Sequence, residues 1–326
     1  MVLKKLFIYY LMNINIIAKF LSENYVEDNK YRYNYSEDFL KWYLDNDSLI
    51  DCIYNNNELI GFICGKKIHM ILNGEQIIMA EIDFLCVKKN NRNNHLCPTL
   101  INNIKQKFNK IGIYNAIFTS EHNYPNKITH CDYYIRFINI KKLYDIGYIN
   151  ININNDEQFK LPKIKGNKKL IKIENDIELY ECFDLYNKYF KRFDCYEQFN
   201  NTTFIERFNN NHINIFGLVE NNKIIDFISY YTIDINVINT NNITTDGYLY
   251  IYTNNSNNLH RMISLLLYKL NDANVDSFVA LNIMETNDDI MDDLKFINKK
   301  SNYNYYLFQN NNISNISANK MAKILF

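Results

Sequence analysis

The chain of 326 residues is long enough for about two domains of ordinary size. It carries 36 Lys and Arg residues and 36 Asp and Glu residues, so its formal net charge is zero. This balance excludes a protein that overall charge draws to nucleic acid or to an anionic membrane. A hydrophobic content of 47% excludes an intrinsically disordered chain. Since no apolar run reaches the roughly 20 residues of a membrane span, we expect a soluble, cytoplasmic protein.

The spacing of cysteine and histidine gives no sign of a metal centre. The seven cysteines are an odd number and include no C-x-x-C pair, whereas structural zinc sites and disulfide frameworks need closely paired cysteines. The six histidines include no H-E-x-x-H motif. We therefore predict neither a metal site nor a disulfide framework.

The first predicted element is a helix. Two lysines precede an apolar run within the first 12 residues, as in a secretory signal, but the run is short and no small-residue cleavage site follows it. We favour the start of an amphipathic helix that continues toward Leu21. An Asn-rich turn at Asn56–Asn57 then leads into an apolar strand that reaches Leu72, and the chain reverses at Asn73–Gly74. The remaining elements of this half are a strand at Glu81–Val87, a helix at Pro98–Phe108 and a strand at Ile113–Thr119.

The second half of the chain repeats this order of elements. Residues 221–229, N-N-K-I-I-D-F-I-S, echo residues 56–64, N-N-E-L-I-G-F-I-C. The matching later elements are a reversal at Asn241–Asn242, a strand at Asp246–Tyr252, a helix at Leu259–Leu270 and a strand at Ser277–Ile283. An Asn- and Lys-rich segment at 150–169 connects the two copies. The pattern predicts a mixed α/β protein built from one duplicated unit.

Positive charge is concentrated at one strand-to-helix junction. The segment 86–120 contains no Asp or Glu, and its basic residues are Lys88, Lys89, Arg92, Lys105, Lys107 and Lys110. Pro98 suits the first turn of the next helix, whose backbone N–H groups would attract an anion such as a pyrophosphate. Without a G-x-G-x-x-G or Walker motif, a dinucleotide or nucleoside triphosphate is not favoured. No arrangement of serine, cysteine and histidine marks a nucleophile with its base.

Several blocks of the sequence resemble the eukaryotic N-myristoyltransferases. The block A-E-I-D-F-L-C-V-K-K at residues 80–89 is similar to the signature of that family. Further similar blocks, in the same order as in the family, are E-N-Y-V-E-D at 23–28, Y-R-Y-N-Y-S at 31–36, A-I-F-T at 116–119, F-V-A-L-N-I-M-E at 278–285, D-L-K-F at 293–296 and Y-Y-L at 305–307. The resemblance covers nearly the whole chain.

The resemblance implies a fold and a reaction. The fold is two pseudo-symmetric halves of the GNAT acyltransferase type in one compact globule. Residues 1–150 would be the half that binds acyl-CoA, and residues 151–326 the half that binds peptide. The reaction is transfer of a myristoyl group from myristoyl-CoA to the α-amine of an N-terminal glycine by direct attack. Myristoyl-CoA is then a co-substrate, no cofactor is bound permanently, and the protein is expected to be a monomer whose partners are N-terminal glycine peptides.

Residue roles follow from the same resemblance. The carboxylate of Phe326 is the base, the backbone N–H groups of Phe84 and Leu85 form the oxyanion hole, and the hydroxyl of Thr119 helps to hold the amine. The residues expected to contact acyl-CoA are Phe84, Leu85, Cys86, Val87, Arg92, Asn93, His95, Leu96 and Cys97. The residues expected to contact the peptide are Tyr25, Asp28, Tyr31, Tyr33, Tyr35, Asp83 and Asn282.

The sequence also departs from the family pattern. Asp83 stands where the family has Asn, and Asn282 where it has Asp, so we predict that these side chains face each other and keep one carboxylate near the amine. The phosphate loop reads R-N-N-H at residues 92–95 in place of R-S-K-R, which removes positive charge beside the coenzyme. The aromatic N-terminal strand of the family has no counterpart before Met1. Two alternatives remain open: a GNAT-type N-acetyltransferase with a shorter acyl donor, and a homologue that binds acyl-CoA or peptides without catalysis.

Overall fold

The computed structural model describes residues 14–25, 30–150, 159–164, 166–238, 240, 242–300, 303–309 and 315–325. Its helices are α1 Ile14–Asn24, α2 Glu37–Tyr43, α3 Leu96–Asn109, α4 Ile140–Asp145, α5 Asp176–Phe190, α6 Asn201–Phe208, α7 Leu259–Asp272 and α8 Asp288–Asp293. Its strands are β1 Tyr31–Asn34, β2 Ser48–Asn55, β3 Glu58–Leu72, β4 Glu75–Val87, β5 Ala116–Ser120, β6 Lys127–Cys131, β7 Tyr133–Phe137, β8 Lys169–Lys172, β9 Cys195–Glu197, β10 Ile213–Glu220, β11 Lys223–Val237, β12 Asn242–Tyr252, β13 Ser277–Leu281, β14 Ile297–Asn298, β15 Tyr303–Phe308 and β16 Met321–Ala322. Asp28 and Phe326 lie outside the described residues. In the described ranges, no helix has the length and hydropathy needed to cross a bilayer.

The strands form two sheets of the same design. The first sheet has the order β16-β9-β3-β4-β5-β15-β6, with β2 paired to β3, and the second has the order β14-β7-β13-β12-β11-β10-β8, with β1 paired to β11. In each sheet a long antiparallel hairpin is followed by a helix, α3 or α7, and by a strand that pairs in parallel with the hairpin, β5 or β13. Parallel pairing requires such a crossover connection. The predicted mixed α/β fold with two similar halves is confirmed.

Asparagine at the turns explains how this sequence forms its hairpins. Asn73 and Gly74 have φ angles of 50° and 84°, as required for a two-residue turn between β3 and β4. The predicted turns at Asn56–Asn57 and Asn221–Asn222 also have positive φ at both residues, and asparagine tolerates this conformation better than most residues. One boundary differs from the prediction. The second reversal begins after Val237, and Asn242 already belongs to β12 because it pairs with Val237.

The two halves exchange strands. From the first half of the chain, β1 and β7 join the second sheet, and from the second half β9, β15 and β16 join the first sheet. One continuous buried cluster contains residues of both sheets, whereas a smaller cluster fills the space between α3 and the first sheet. Each sheet is therefore completed by the other half of the chain. The division at residue 150 stays a prediction, and it does not coincide with the boundary between the sheets.

The position of α3 fixes one end of the candidate site. Leu100, Ile104 and Phe108 are buried against the first sheet. Gly65 on β3 allows this close approach, since an added Cβ would lie 2.5 Å from the Phe108 ring. The helix therefore begins beside the end of β4, where the sequence predicted an anion site.

Candidate active site

A bulge interrupts β4 at Phe84–Leu85. On its two sides Phe62 pairs with Cys86 and Cys64 pairs with Asp83, so Phe84 and Leu85 together lie opposite the single residue Ile63. Neither residue has a register partner on β3 or β5. Phe84 has a φ of 54°, a left-handed conformation that bulky residues rarely adopt. Bulges of this kind re-aim backbone groups and are frequent next to active sites.

β4 and β5 stop pairing before they reach the bulge, and this break in their pairing is called the opening below. The two strands pair only at Ala80–Glu81 with Ala116–Ile117. Beyond this point β5 remains paired on its other edge with β15, while β4 has β3 as its register partner within the part of the chain that the structure describes. Thr119 lies on the β5 side of the opening and donates a hydrogen bond to the Tyr303 hydroxyl (3.1 Å). The structure thus brings Thr119 and the bulge to two sides of one opening.

Two tyrosines of the predicted peptide set, Tyr25 and Tyr35, pack around Phe84 together with Tyr43, which the sequence did not indicate. The ring of Phe84, which is 1% exposed, lies 5.4 Å from the ring of Tyr25, 4.8 Å from that of Tyr35 and 5.5 Å from that of Tyr43. Burial raises the pKa of Tyr25 and of Tyr35 well above its ordinary value. Neutral phenols therefore line this side of the bulge.

The other two tyrosines of β1 extend the row away from the bulge. The ring of Tyr33 lies 6.0 Å from that of Tyr35, and its phenol lies near those of Tyr133 and Tyr248 of the second sheet. Tyr31 donates its hydroxyl to the Tyr148 carbonyl (2.6 Å), and the two rings are 4.6 Å apart. A row of phenols therefore runs from the first sheet to the second.

The structure gives no support to the predicted pairing of Asp83 with Asn282. Asn282 accepts a hydrogen bond from the backbone N–H of Asp132 (2.6 Å) and donates to Asp288 (3.3 Å). Asp83 instead accepts a hydrogen bond from the Tyr43 hydroxyl. Among the described residues, no contact joins the two side chains. Asp83 lies directly before the bulge residue Phe84 on β4, and its place near the amine stays a prediction.

The start of α3 is open to an anion. His95 occupies the N-cap position, and no side chain within the described ranges caps the first turn, which contains Leu96 and Cys97 and no acidic residue. Asn93 and His95 are exposed. Arg92 donates to the carbonyls of Val87 (3.1 Å) and Asn24 (3.2 Å), which ties this loop to β4 and α1. These contacts fix the loop between the bulge and the helix.

The positive charge of this region is partly compensated by residues from other segments. Lys88 forms an ion pair with Glu58, and Lys107 forms one with Asp51 (2.6 Å). The sequence could not show these pairs because their acidic partners precede the basic segment by tens of residues. The predicted excess of charge is therefore smaller than the composition of the segment indicates.

The second half also contains a bulge, one position later in the sequence repeat and without the positive φ of Phe84, and a side chain hydrogen-bonds its backbone. Tyr250–Ile251 lie opposite the single residue Ser229. The hydroxyl of Ser229 accepts a hydrogen bond from the N–H of Ile251 (3.0 Å) and donates to the carbonyl of Ile251 (2.6 Å). In the first half the residue opposite the bulge is Ile63, whose side chain has no polar atom. A side chain of the facing strand therefore hydrogen-bonds the Ile251 backbone in the second half, whereas the residue facing the bulge in the first half has no polar side-chain atom to do so.

The strand-to-helix loop differs between the halves in the same way. In the second half the carboxylate of Asp226 accepts the backbone N–H groups of Asn255 (2.7 Å) and Ser256 (2.9 Å), close to the start of α7. At the matching place of the sequence repeat the first half has Gly61, which has no side chain. The second half thus carries its own anion at this loop, whereas in the first half Leu100 and Ile53 lie 3.1 Å and 3.6 Å from the position that a Cβ of residue 61 would take.

A buried ion network ties the end of the chain to β4. The ammonium group of Lys323, 2% exposed, lies 2.8 Å from Glu81 and 2.7 Å from Glu197. Arg207 lies 3.2 Å from the other oxygen of Glu197. Burial alone would raise the pKa of Glu197, but Lys323 and then Arg207 outweigh it and lower that pKa to about 2. The network fixes the tail three residues from the bulge along β4.

We expect Lys323→Met to lower the free energy of unfolding by about 3–5 kcal/mol, because it leaves two buried carboxylates without their shared cation. Lys320→Met is the matched control, since Lys320 is exposed and donates only to the Arg192 carbonyl among its described hydrogen bonds. Urea denaturation of both variants measures the effect. A Lys323→Met protein within about 1 kcal/mol of the parent would show that the network contributes little.

This network has a pH signature. Because the pKa of Glu197 falls from 4.5 to about 2 on folding, its contribution is present above pH 4.5 and is lost as the pH falls toward 2. We expect the free energy of unfolding of Lys323→Met to fall less than that of the parent as the pH is lowered from 4.5 toward 2, as measured by urea denaturation at each pH.

The sequence interpretation missed Tyr43, Tyr303 and the network around Lys323. Two signals were available. Lys323 is the one charged residue in the otherwise apolar end M-A-K-I-L-F, and Glu81 and Asp83 stand two residues apart in an apolar strand, which places both on one face. The hydrogen bonds of Ser229 with the Ile251 backbone had no such signal in the sequence, because they depend on which residue lies opposite the bulge.

Both halves of the chain match one protein family. Residues 4–131 match the N-terminal domain and residues 150–324 the C-terminal domain of the family described as Myristoyl-CoA:protein N-myristoyltransferase. The glycylpeptide N-tetradecanoyltransferase of Kluyveromyces lactis is 30% identical to this chain over 72% of its length. The enzyme of the same name from Plasmodium falciparum is 32% identical over 69% of the chain. The chain spans only 56% and 58% of those two relatives.

A solved structure extends the likeness over nearly the whole chain. Saccharomyces cerevisiae N-myristoyltransferase with bound myristoyl-CoA superposes with a TM-score of 0.85 at 25% identity, covering 96% of this chain and 86% of that one. With the two similar halves described above, this confirms the expected architecture of two GNAT-like halves in one globule. The chain belongs to the Myristoyl-CoA:protein N-myristoyltransferase family.

Proposed function

We propose that this protein is an acyltransferase that transfers a myristoyl group from myristoyl-CoA to the α-amine of an N-terminal glycine. The family membership supports this activity, and so do the names of the relatives. The observation that carries the proposal is the contrast between the halves. In the second half Ser229 and Asp226 hydrogen-bond the bulge and the loop before α7, whereas in the first half Ile63 faces the bulge without a polar side-chain atom and no side chain of the described residues caps the start of α3.

The first half is accordingly the acyl-CoA site in this proposal. The thioester carbonyl lies at the bulge, and Cys86 and Val87 continue β4 toward the loop. The pyrophosphate lies at the start of α3, near Arg92, Asn93, His95, Leu96 and Cys97. The helix dipole and the uncapped N–H groups of its first turn favour this negative charge. No permanently bound cofactor is needed, because the acyl group arrives activated as a thioester.

The reaction is direct attack of the amine on the thioester. The nitrogen forms a bond to the carbonyl carbon, the C–S bond breaks, and the amine proton leaves to a base. In the transition state negative charge develops on the carbonyl oxygen, where the N–H groups of Phe84 and Leu85 stabilise it. Each such donor contributes about 3–4 kcal/mol in comparable sites. Thr119 holds the amine from the β5 side of the opening.

The base in this mechanism is the terminal carboxylate of Phe326. It is supported by the residues just before it, since Ile324 and Leu325 are 8% and 3% exposed and Lys323 is tied to β4. A complete proton transfer from an α-ammonium to an ordinary α-carboxylate is uphill by roughly 6 kcal/mol. Burial raises the pKa of a carboxyl group and reduces this difference. The position of the base thus matters more than its strength.

The peptide lies along the row of phenols in this proposal. Tyr25 and Tyr35 pack on Phe84, and Tyr33 continues the row toward the second sheet. Tyr31, Asp28 and Asn282 stay predictions as peptide contacts. A cytoplasmic location and a monomeric state also stay predictions.

The test offers purified protein a Gly-initiated octapeptide with myristoyl-CoA or acetyl-CoA. We expect N-acylated peptide with myristoyl-CoA at a kcat/KM at least about tenfold above that with acetyl-CoA, since even a few additional buried CH₂ groups are worth more than this factor. Equal rates with both donors would favour an acetyltransferase. Acyl-CoA binding without product would favour a non-catalytic homologue.

A further inference from the structure

A buried carboxyl group lies directly beside the proposed reaction centre. Asp83 is 9% exposed and immediately precedes the bulge residue Phe84 on β4. Asp83 and Glu81, two residues apart, both interact with Lys323 of the tail, so their side chains share one face of the first sheet. The Tyr43 hydroxyl donates a hydrogen bond to Asp83.

Asp83 has no salt bridge to a cation in the described part of the structure. The nearby cations pair with other acids, Lys66 with Asp45 and Lys323 with Glu81 and Glu197. A buried carboxyl group without its own cation lowers stability. An apolar side chain of similar size in place of Asp83 would lower stability less. The position of this carboxyl group beside the bulge therefore suggests that it has a chemical use.

The groups around Asp83 set its protonation. They come from every element packed against it and are Glu81, Cys64, Lys66, Lys323, Tyr25, Tyr35, Tyr43, Tyr231 and Tyr303. Burial, followed by the charge of Glu81, raises the pKa of Asp83 to about 8, while the Tyr43 hydrogen bond and the two lysines act in the opposite direction. An α-amine has a pKa of about 7.7–8.0. A proton moves between two groups of such similar pKa with little change in free energy.

We propose that Asp83 is a second proton acceptor for the attacking amine: the terminal carboxylate takes the proton that the α-ammonium loses to become a neutral amine and passes it to solvent, and Asp83 takes the proton lost as the C–N bond forms. This inference rests on the proposed function. As the nitrogen forms its bond to the thioester carbon, one N–H proton passes to a carboxylate oxygen of Asp83. The C–S bond then breaks, and the departing thiolate takes the proton. Amine and thioester thus become amide and thiol, and Asp83 returns to its starting state.

The test compares kcat between pH 5.5 and 10 for the parent, Asp83→Asn and Tyr43→Phe. In the parent we expect log kcat to rise with pH and level off near pH 8. Asp83→Asn should lower kcat at pH 8.5 by about 10²-fold or more, the usual contribution of a general base, and remove this rise. Tyr43→Phe should shift the rise to higher pH, because the carboxylate loses the hydrogen bond that stabilises its charged form.

These readouts separate the inference from the proposed function. An inactive parent protein would refute the proposed function and the inference together. An active parent with an Asp83→Asn variant that keeps kcat within about twofold and keeps the same pH rise would refute the inference alone. A rise caused by the substrate amine would remain in both variants. Thermal melts over the same pH range show whether the variants are folded.

Discussion

A chain extended by two glycines after Phe326 is expected to lose about 10²–10⁴-fold in kcat, the range that a positioned general base contributes. The extension converts the terminal carboxylate into a peptide group, which cannot accept a proton at neutral pH. Ile324 and Leu325 are buried and Lys323 is held by two carboxylates, so the preceding tail is already anchored inside the protein. Steady-state kinetics with myristoyl-CoA and a Gly-initiated octapeptide measure the loss.

The control for the extension is Phe326→Leu, which keeps the carboxylate and changes only the side chain. We expect this variant to keep kcat within about tenfold, because an apolar swap of similar size costs little in a core. Full activity of the extended chain would refute the assignment of the terminal carboxylate as the base. Equal losses in both variants would show that the tail is needed for packing and not for its charge.

Leu85→Pro is expected to lower kcat by about 10²–10³-fold, because proline has no N–H and so removes one oxyanion donor. The substitution suits this position for two reasons. Leu85 has no register partner on β3 or β5, and proline is tolerated at bulges. The side chain is also 38% exposed, so little packing is lost. The KM for myristoyl-CoA should change much less than kcat.

Two controls accompany Leu85→Pro. Leu85→Ala keeps the N–H and should keep kcat. Ser229→Ala acts on the matching bulge of the second half, where it leaves the N–H of Ile251 without its acceptor and should cost about 1–3 kcal/mol of stability with little change in kcat. If folded Leu85→Pro protein keeps kcat within a few-fold, the oxyanion stabilisation does not come from this backbone.

Much of the fold could be predicted from local signals in the sequence. Pairs of turn-forming asparagines marked the hairpins, as at Asn56–Asn57, and helical periodicity marked α3 and α7 within two residues of their observed bounds. These features depend on residues close together in the chain, which is why a single sequence reveals them. The strand at Ile113–Thr119 was placed three residues early, since β5 begins at Ala116, where its pairing with β4 begins.

Features that depend on distant parts of the chain were not predictable. The exchange of β1, β7, β9, β15 and β16 between the sheets brings together strands that are far apart in sequence. The same applies to the ion network of Lys323 with Glu81 and Glu197, and to the hydrogen bond of Tyr43 with Asp83. Such contacts are fixed by tertiary packing. Local charge indicated the anion site at the start of α3, whereas Phe84, Leu85 and Thr119 were assigned only because blocks of the sequence resemble a known family.

The comparison of the halves explains why a duplicated unit has one proposed acyl-CoA site. In the second half, Ser229 takes the hydrogen bonds at the bulge and Asp226 takes those at the loop. Both groups belong to β11. In the proposed function the first half binds the thioester oxygen and the phosphate, and the second sheet contributes to the peptide surface.

A crystal structure with a non-hydrolysable myristoyl-CoA analogue tests the central claim most directly. We expect the carbonyl oxygen within about 2.7–3.1 Å of the backbone nitrogens of Phe84 and Leu85, and the pyrophosphate at the start of α3. A carbonyl oxygen bound at Tyr250–Ile251, or one out of hydrogen-bonding reach of the Phe84–Leu85 bulge, would contradict the account.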